Sequence, residues 1–323
     1  MQHMERDVPV QDVSGSAGPD EAFQPGDVVV LSPHLDDAVL SLGALIARLA
    51  AGGRRVEVWT TYTDLPADRQ VPRRWTEFGD YETRRAEDRR AMVILGAQPR
   101  HLGLPERIWR APQPRNLAGA FRGPRTLDGF GCLPAVREVV RSLLCVPGVE
   151  VYAPLAVGQH ADHLEVAVAA LTVASEEKAL GRIGFYEDYY ALGEAFRRGH
   201  PVTRRDPRPA APLLGSAAPA LAVGLRLMAV AFRRPRLDAY VPQARELPWR
   251  CAPSPVDGFE DRKIEAVRAY ASQVPRLGGA RGLEAALRRA HRCRGGEPVW
   301  RPLPRDGDVR ARTTEGEADR CVG

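Results

Sequence analysis

Lysine is nearly missing from this chain of 323 residues: of its 46 basic residues only Lys178 and Lys263 are lysines, so 44 are arginines. Acidic residues number 41, and the resulting net charge of +5 is too small for this length to argue for nucleic acid as a partner. The five cysteines (Cys132, Cys145, Cys251, Cys293, Cys321) show no CxxC spacing. That pattern argues against a disulfide framework and against a thiolate zinc knuckle, and it predicts a reducing compartment. The N-terminal residues carry acids and no apolar segment of the secretory kind, so a cytoplasmic location is expected. The longest apolar stretch, 213–232, is broken by Pro219 and Arg226, which disfavours a transmembrane span. Hydrophobic residues at 44% and charged residues at 27% are ordinary for a globular chain and exclude a wholly disordered one.

What is present reads as alternating strands and helices. Residues 1–24 are polar and predict a disordered lead-in. Asp27–Ser32 is a short apolar run suited to a buried parallel strand. The following segment places Val39, Leu42, Leu45, Ile46 and Leu49 at helical spacing and stops at Gly52-Gly53. Val56–Asp64 is a second strand, which completes a βαβ unit. Further strands are expected over His101–Glu106, Val149–Gly158 and Ile183–Leu192, and a late helix over Arg262–Val274. The fold class expected is α/β, a Rossmann-like, doubly wound and mostly parallel sheet. One domain over 25–300 is expected, with a helical or loop insertion over 197–236 and a flexible tail over 301–323.

Sites in doubly wound sheets lie beyond the carboxyl ends of the strands. The first strand exits into His34, Asp36 and Asp37, and the strand at Val149–Gly158 exits into His160, Asp162 and His163. Two imidazoles and one carboxylate around an open position suit a catalytic zinc ion. His34 and Asp37 are three apart and can face one point, which His163 can close from the other loop. Asp36 then stands beside the metal as a general base, and His160 can give a proton to a leaving group. A plainer reading makes Asp36 or Asp37 a helix cap.

The stretch SPHLDDAVLSLGAL resembles the opening motif of the LmbE-like, or PIG-L, family of zinc-dependent N-deacetylases, and GQHADH resembles the second metal motif of that family. RRAEDRRAMVILGA, LGLPE, FYEDYYAL and KIEAVRAYASQ are similar to later family segments, in order. The resemblance implies an LmbE-like fold, one zinc or other divalent ion per chain on His34, Asp37 and His163, and Asp36 as base. It also implies His160 as acid or electrostatic stabiliser with Asp162 orienting it, and substrate contacts from Arg84 and Glu106. A solvated helix face is a competing reading of Arg84. The commonest family form is AHPDDE; here Leu35 and Ala38 replace its proline and glutamate. Gly158 stands where some mycothiol-pathway members have a tyrosine, so the oxyanion partner other than the metal is unassigned.

The activity implied is hydrolysis of an N-acetyl group from an amino sugar such as N-acetylglucosamine or a sugar-containing conjugate, in secondary metabolism or glycoconjugate biosynthesis. Alternatives are an amidase acting on a non-acetyl or non-sugar amide, a non-haem iron oxygenase, a two-metal phosphoester hydrolase and a non-catalytic binding module. Trp75 and Trp109 could stack on a sugar or could pack in the interior. The insertion 197–236 holds nine arginines and one acid, a net +8, which leaves −3 for the rest of the chain. It predicts an anionic or lipid-linked substrate, or peripheral contact with a membrane surface.

Overall fold

The computed structural model describes residues 22–65, 75, 78–115, 117–189, 194–206, 208 and 236–303. The strands are β1 (Val28–Ser32), β2 (Val56–Asp64), β3 (Gln98–Pro105), β4 (Glu150–Pro154), β5 (Ile183–Tyr186), β6 (Trp249–Cys251) and β7 (Val299–Pro302). The helices are α1 (Asp37–Ala51), α2 (Tyr81–Leu95), α3 (Leu133–Cys145), α4 (Ala161–Glu176), α5 (Glu194–Gly199), α6 (Leu237–Tyr240), α7 (Gln243–Glu246), α8 (Glu260–Arg268) and α9 (Gly279–Arg294). All seven strands form one sheet in the order β3-β2-β1-β4-β5-β7-β6. The first five are parallel, and β7 and β6 close one edge antiparallel.

Strand alternation explains the two layers. Val28 and Val30 of β1 face one side and pack with α1, α2, α8 and α9. Val29 and Leu31 face the other side and pack with α3 and α4. Both faces are covered, as the unbroken apolar run of β1 predicts. The strand order reverses between β1 and β4, whose neighbours lie on opposite sides. That switch point is the crevice where the His34 and His160 loops meet.

Several boundaries move from their sequence-based positions. β4 ends at Pro154 and β5 at Tyr186, so Leu155–Gly158 and Glu187–Asp188 are loop. Asp188 turns inward, where its carboxylate accepts from the Val157 amide at 2.7 Å and binds His163. The late helix stops at Arg268 because two carboxylates of α2 hold the chain beyond it: Asp88 accepts from the Tyr270 hydroxyl at 2.6 Å, and Glu87 from the Ser272 amide at 2.8 Å. Arg301 and Pro302, expected from the sequence to lie in a tail, belong to β7. At the other end Phe23, placed in the lead-in, packs its ring 5.9 Å from Trp59.

The basic excursion also changes character where it is described. Arg197 is buried and donates to Glu187 at 2.8 Å and to Asp206 at 2.9 Å, and Arg208 donates to Asp206 at 3.0 Å. These arginines neutralise interior acids. Residues 209–235, with the aliphatic stretch 213–232, lie outside the described residues, as do residues 1–21 and 304–323. Among the described residues no helix is long and apolar enough to cross a membrane.

Candidate functional site

The site begins with a short turn between β1 and α1. The Ser32 hydroxyl donates to the His34 carbonyl at 2.7 Å and accepts from the Ala38 amide at 3.1 Å, so the last residue of the strand caps the helix. Asp36 makes no side-chain cap, and it holds φ 150° and ψ −26°, a conformation that L residues adopt only under constraint. Its side chain is thereby kept free of helix capping. Asp37 spends one oxygen on the His34 amide at 3.0 Å instead of on the helix. The β4–α4 loop is constrained in the same way, with Ala156 and Gln159 both at φ 60°.

These turns bring three donor atoms together. Asp37 Oδ2 lies 3.1 Å from His34 Nδ1 and 3.0 Å from His163 Nε2, and the two nitrogens are 3.3 Å apart. Metal–ligand arms of about 2.0–2.1 Å in a tetrahedron give ligand separations of about 3.3 Å, so this triangle fits one face of a zinc site. The opposite ring nitrogens are also held. His34 Nε2 lies 3.0 Å from Asp162 Oδ2, and His163 Nδ1 bonds Asp188. Imidazoles backed by carboxylates in this way are the usual outer layer of a metal site. A nitrogen of His160 lies within 4.8 Å of the other two imidazoles, but its Nδ1 accepts from the Asp162 amide at 3.3 Å. That leaves Nε2 carrying the hydrogen.

Asp162 differs from its expected role. Its carboxylate is 3.8 Å from His160 but 3.0 Å from His34, and it accepts from the Arg107 amide at 3.1 and 2.9 Å. It orients His34 first. Arg84, a helix residue with a possible solvated face in sequence, is buried and donates to Glu106 at 2.8 Å. Both charges act on Asp36, in opposite senses, and the Glu106 charge also raises His34. Trp75 and Trp109 are buried in a small apolar cluster with Leu35 and Ile108, which selects packing over stacking on a ligand. The Trp109 indole donates to the Tyr81 hydroxyl at 2.8 Å.

The charges follow from burial and neighbours. Burial and then the Asp37 charge push the Asp36 carboxyl far above the usual carboxylate range, against the opposing pull of Arg84 and His34. Burial would also raise Asp37, but His163 and His34 hold it well below that range. For His163, burial opposes the charge, yet Asp37 and Asp188 raise it to about 9 in the metal-free chain. Asp162 resists burial through Arg110 and His34 and stays ionised. Burial and the neighbouring His34 keep His160 neutral.

Sequence reasoning missed Asp188, Arg110 and Glu165. Asp188 had a signal, an acid at the exit of an apolar strand in FYED. Arg110 and Glu165 had none, because an arginine in an irregular segment reads as solvent-facing. A second acid cluster, Glu187, Asp206 and Cys251, also has donor atoms within 4.8 Å of one another. Its carboxylates are taken by Arg197, Arg208, Arg294 and the Trp300 indole, so the donors do not suit a cation.

Fold and site together define a doubly wound α/β protein with a metal-type centre at its switch point. Residues 29–174 match the family model described as "PIG-L: GlcNAc-PI de-N-acetylase". A solved deacetylase from the biosynthesis pathway of teicoplanin is 24% identical, with a TM-score of 0.60, over 87% of this chain and 99% of that one. The zinc-inhibited form of teicoplanin deacetylase is 23% identical, with a TM-score of 0.58, over 87% and 99%. The A40926 pseudoaglycone deacetylase is 22% identical, with a TM-score of 0.55, over 87% and 98%. These likenesses establish a shared fold. Comparison with curated proteins gave no match.

Proposed function

We propose that this chain is a metal-dependent hydrolase that removes an N-acetyl group from an amino sugar or a sugar-containing conjugate. The observation that carries the reading is the donor triangle of His34, Asp37 and His163, with edges of 3.0–3.3 Å, beside a strained Asp36 and within the residues that match the PIG-L family model. In this reading those three residues hold one zinc or other divalent ion. When bound, the metal supplies Lewis acidity at the amide carbonyl and to the attacking water.

Asp36 takes the proton of that water as general base. The protonated carboxyl can then pass the proton to the departing amine. The neutral His160, with the hydrogen on Nε2, is a donor aimed at the developing charge on the acyl oxygen. It takes the place that Gly158 leaves without a hydroxyl. Asp162 and Asp188 keep the two ligand imidazoles in the tautomers that present His34 Nδ1 and His163 Nε2. Arg84 and Glu106 form a joined donor and acceptor pair suited to substrate hydroxyls. The doubly wound sheet removes the support for the iron oxygenase alternative, which rested on the ligand set alone. A conjugate, rather than a free sugar, is favoured by the substrates named for the teicoplanin and A40926 enzymes of the same fold.

A cytoplasmic location belongs to the same proposal and is supported by free cysteines at Cys132, Cys145, Cys251 and Cys293. The test is acetate release by the zinc-loaded protein from a panel of N-acetylated amino sugars and their conjugates. Acetate should appear with an equal amount of free amine, stop with a chelator and return with zinc. A metal-loaded protein that releases acetate from none of them, but cleaves a longer acyl amide, would replace the acetyl reading.

A further inference from the structure

Arg110 lies in the irregular segment after β3, and the hydrolytic scheme gives it no part. Its side chain is 11% exposed. One terminal nitrogen bonds Asp162 and the other bonds Glu165, carboxylates one turn apart on α4. Both acids are buried completely. The other Asp162 oxygen is the one that meets His34 Nε2 at 3.0 Å. Glu165 accepts from the Tyr62 hydroxyl at 2.7 Å and from the Cys132 amide at 2.6 Å. The guanidinium carbon sits 5.2 Å from the Tyr62 ring centre.

Two buried carboxylates this close repel, and neither can turn away without losing its other partners. A planar cation that forks between them satisfies both at once with two nitrogens held in fixed geometry, which the single ammonium of a lysine does not reproduce. We infer that Arg110 is a positioning residue for the metal centre: by bridging Asp162 and Glu165 it fixes Asp162 against His34, and so aims the His34 imidazole at the metal. The inference rests on the metal-site reading above. It also ties the loop after β3 to the metal centre, since the Arg107 amide ends on the same Asp162 carboxylate.

The sign of the effect separates positioning from charge alone. Removing a cation from beside a divalent ion would tighten metal binding by Coulomb attraction. Losing the orientation of a ligand weakens it, by about 10–100-fold for outer-layer groups. The experiment is zinc affinity, by competition with a chromogenic chelator, for wild type, Arg110→Met, Arg110→Lys and Glu165→Gln, with near-UV circular dichroism of each metal-free protein. Arg110→Met should bind zinc at least about tenfold more weakly. Arg110→Lys, which keeps the charge, should not restore wild-type affinity, and Glu165→Gln should weaken binding by a smaller factor. If Arg110→Met fails to fold, the other two variants decide. A purely structural role would lower thermal stability and leave the affinity of the folded protein unmoved. Any folded Arg110 variant that binds zinc as tightly as wild type, or more tightly, overturns the inference. A wild-type chain that binds no zinc sinks the metal reading along with it.

Discussion

Replacing Glu297 by alanine should destabilise the protein by about 4–8 kcal/mol, although this residue lies far along the chain from the proposed site. Its carboxylate accepts from the Ala44 and Leu45 amides at 2.9 and 2.8 Å. Those amides are the donors freed where α1 kinks at Leu42, which has φ −128° and ψ 17°. The same carboxylate pairs with Lys263 Nζ at 2.8 Å, with side chains 0% and 1% exposed. Removing one member of a buried ion pair costs about 3–5 kcal/mol, and buried amides left unpaired add about 1–3 kcal/mol. Lys263→Met should cost less, about 3–5 kcal/mol, because Glu297 keeps both backbone donors. The assay is urea unfolding of the metal-free proteins at neutral pH. A Glu297→Ala protein within about 1 kcal/mol of wild type, or a Lys263→Met protein less stable than Glu297→Ala, would refute the reasoning.

Three further outcomes are expected. Gly43→Ala should lose about 1–3 kcal/mol in the same unfolding assay, since the new methyl would meet Lys263 Cγ at 2.7 Å; unchanged stability would show that Lys263 moves aside. Asp188→Asn should weaken zinc binding by about 10–100-fold, because it loosens His163; unchanged affinity would remove Asp188 from the centre. In the metal-free protein the raised His163 pKa contributes stability that is fully present below pH 6.5 and lost as pH rises through about 9. The loss is up to about 3 kcal/mol, and a flat stability profile between those limits would contradict the ion pairing of His163.

Much of the fold was legible because burial on both faces leaves strands without alternation. β1 could be read almost residue by residue from its apolar run, and β2 from its valines, aromatics and threonines. The antiparallel edge was not legible. β6 and β7 have three and four residues, too few for a periodicity, and their place depends on pairing across the sheet. α9, with its arginine-rich sequence, hides its core face behind Arg288 and Arg294, which answer acids elsewhere in the fold. The grouping of His34, Asp37 and His163 was legible because each of them follows a strand exit. The layer behind it was not: Arg110, Glu165 and Asp188 gain their meaning from partners at least 25 residues away. Capping by Ser32 shows the same limit, since the nearer acids looked like better caps.

The most direct test of hydrolysis with Asp36 as general base is the Asp36→Asn variant, measured for zinc content and for acetate release from a substrate that the wild type turns over. The variant should keep one zinc per chain and lose turnover by about 10²–10⁴-fold. Zinc bound as in wild type together with undiminished acetate release would contradict the account.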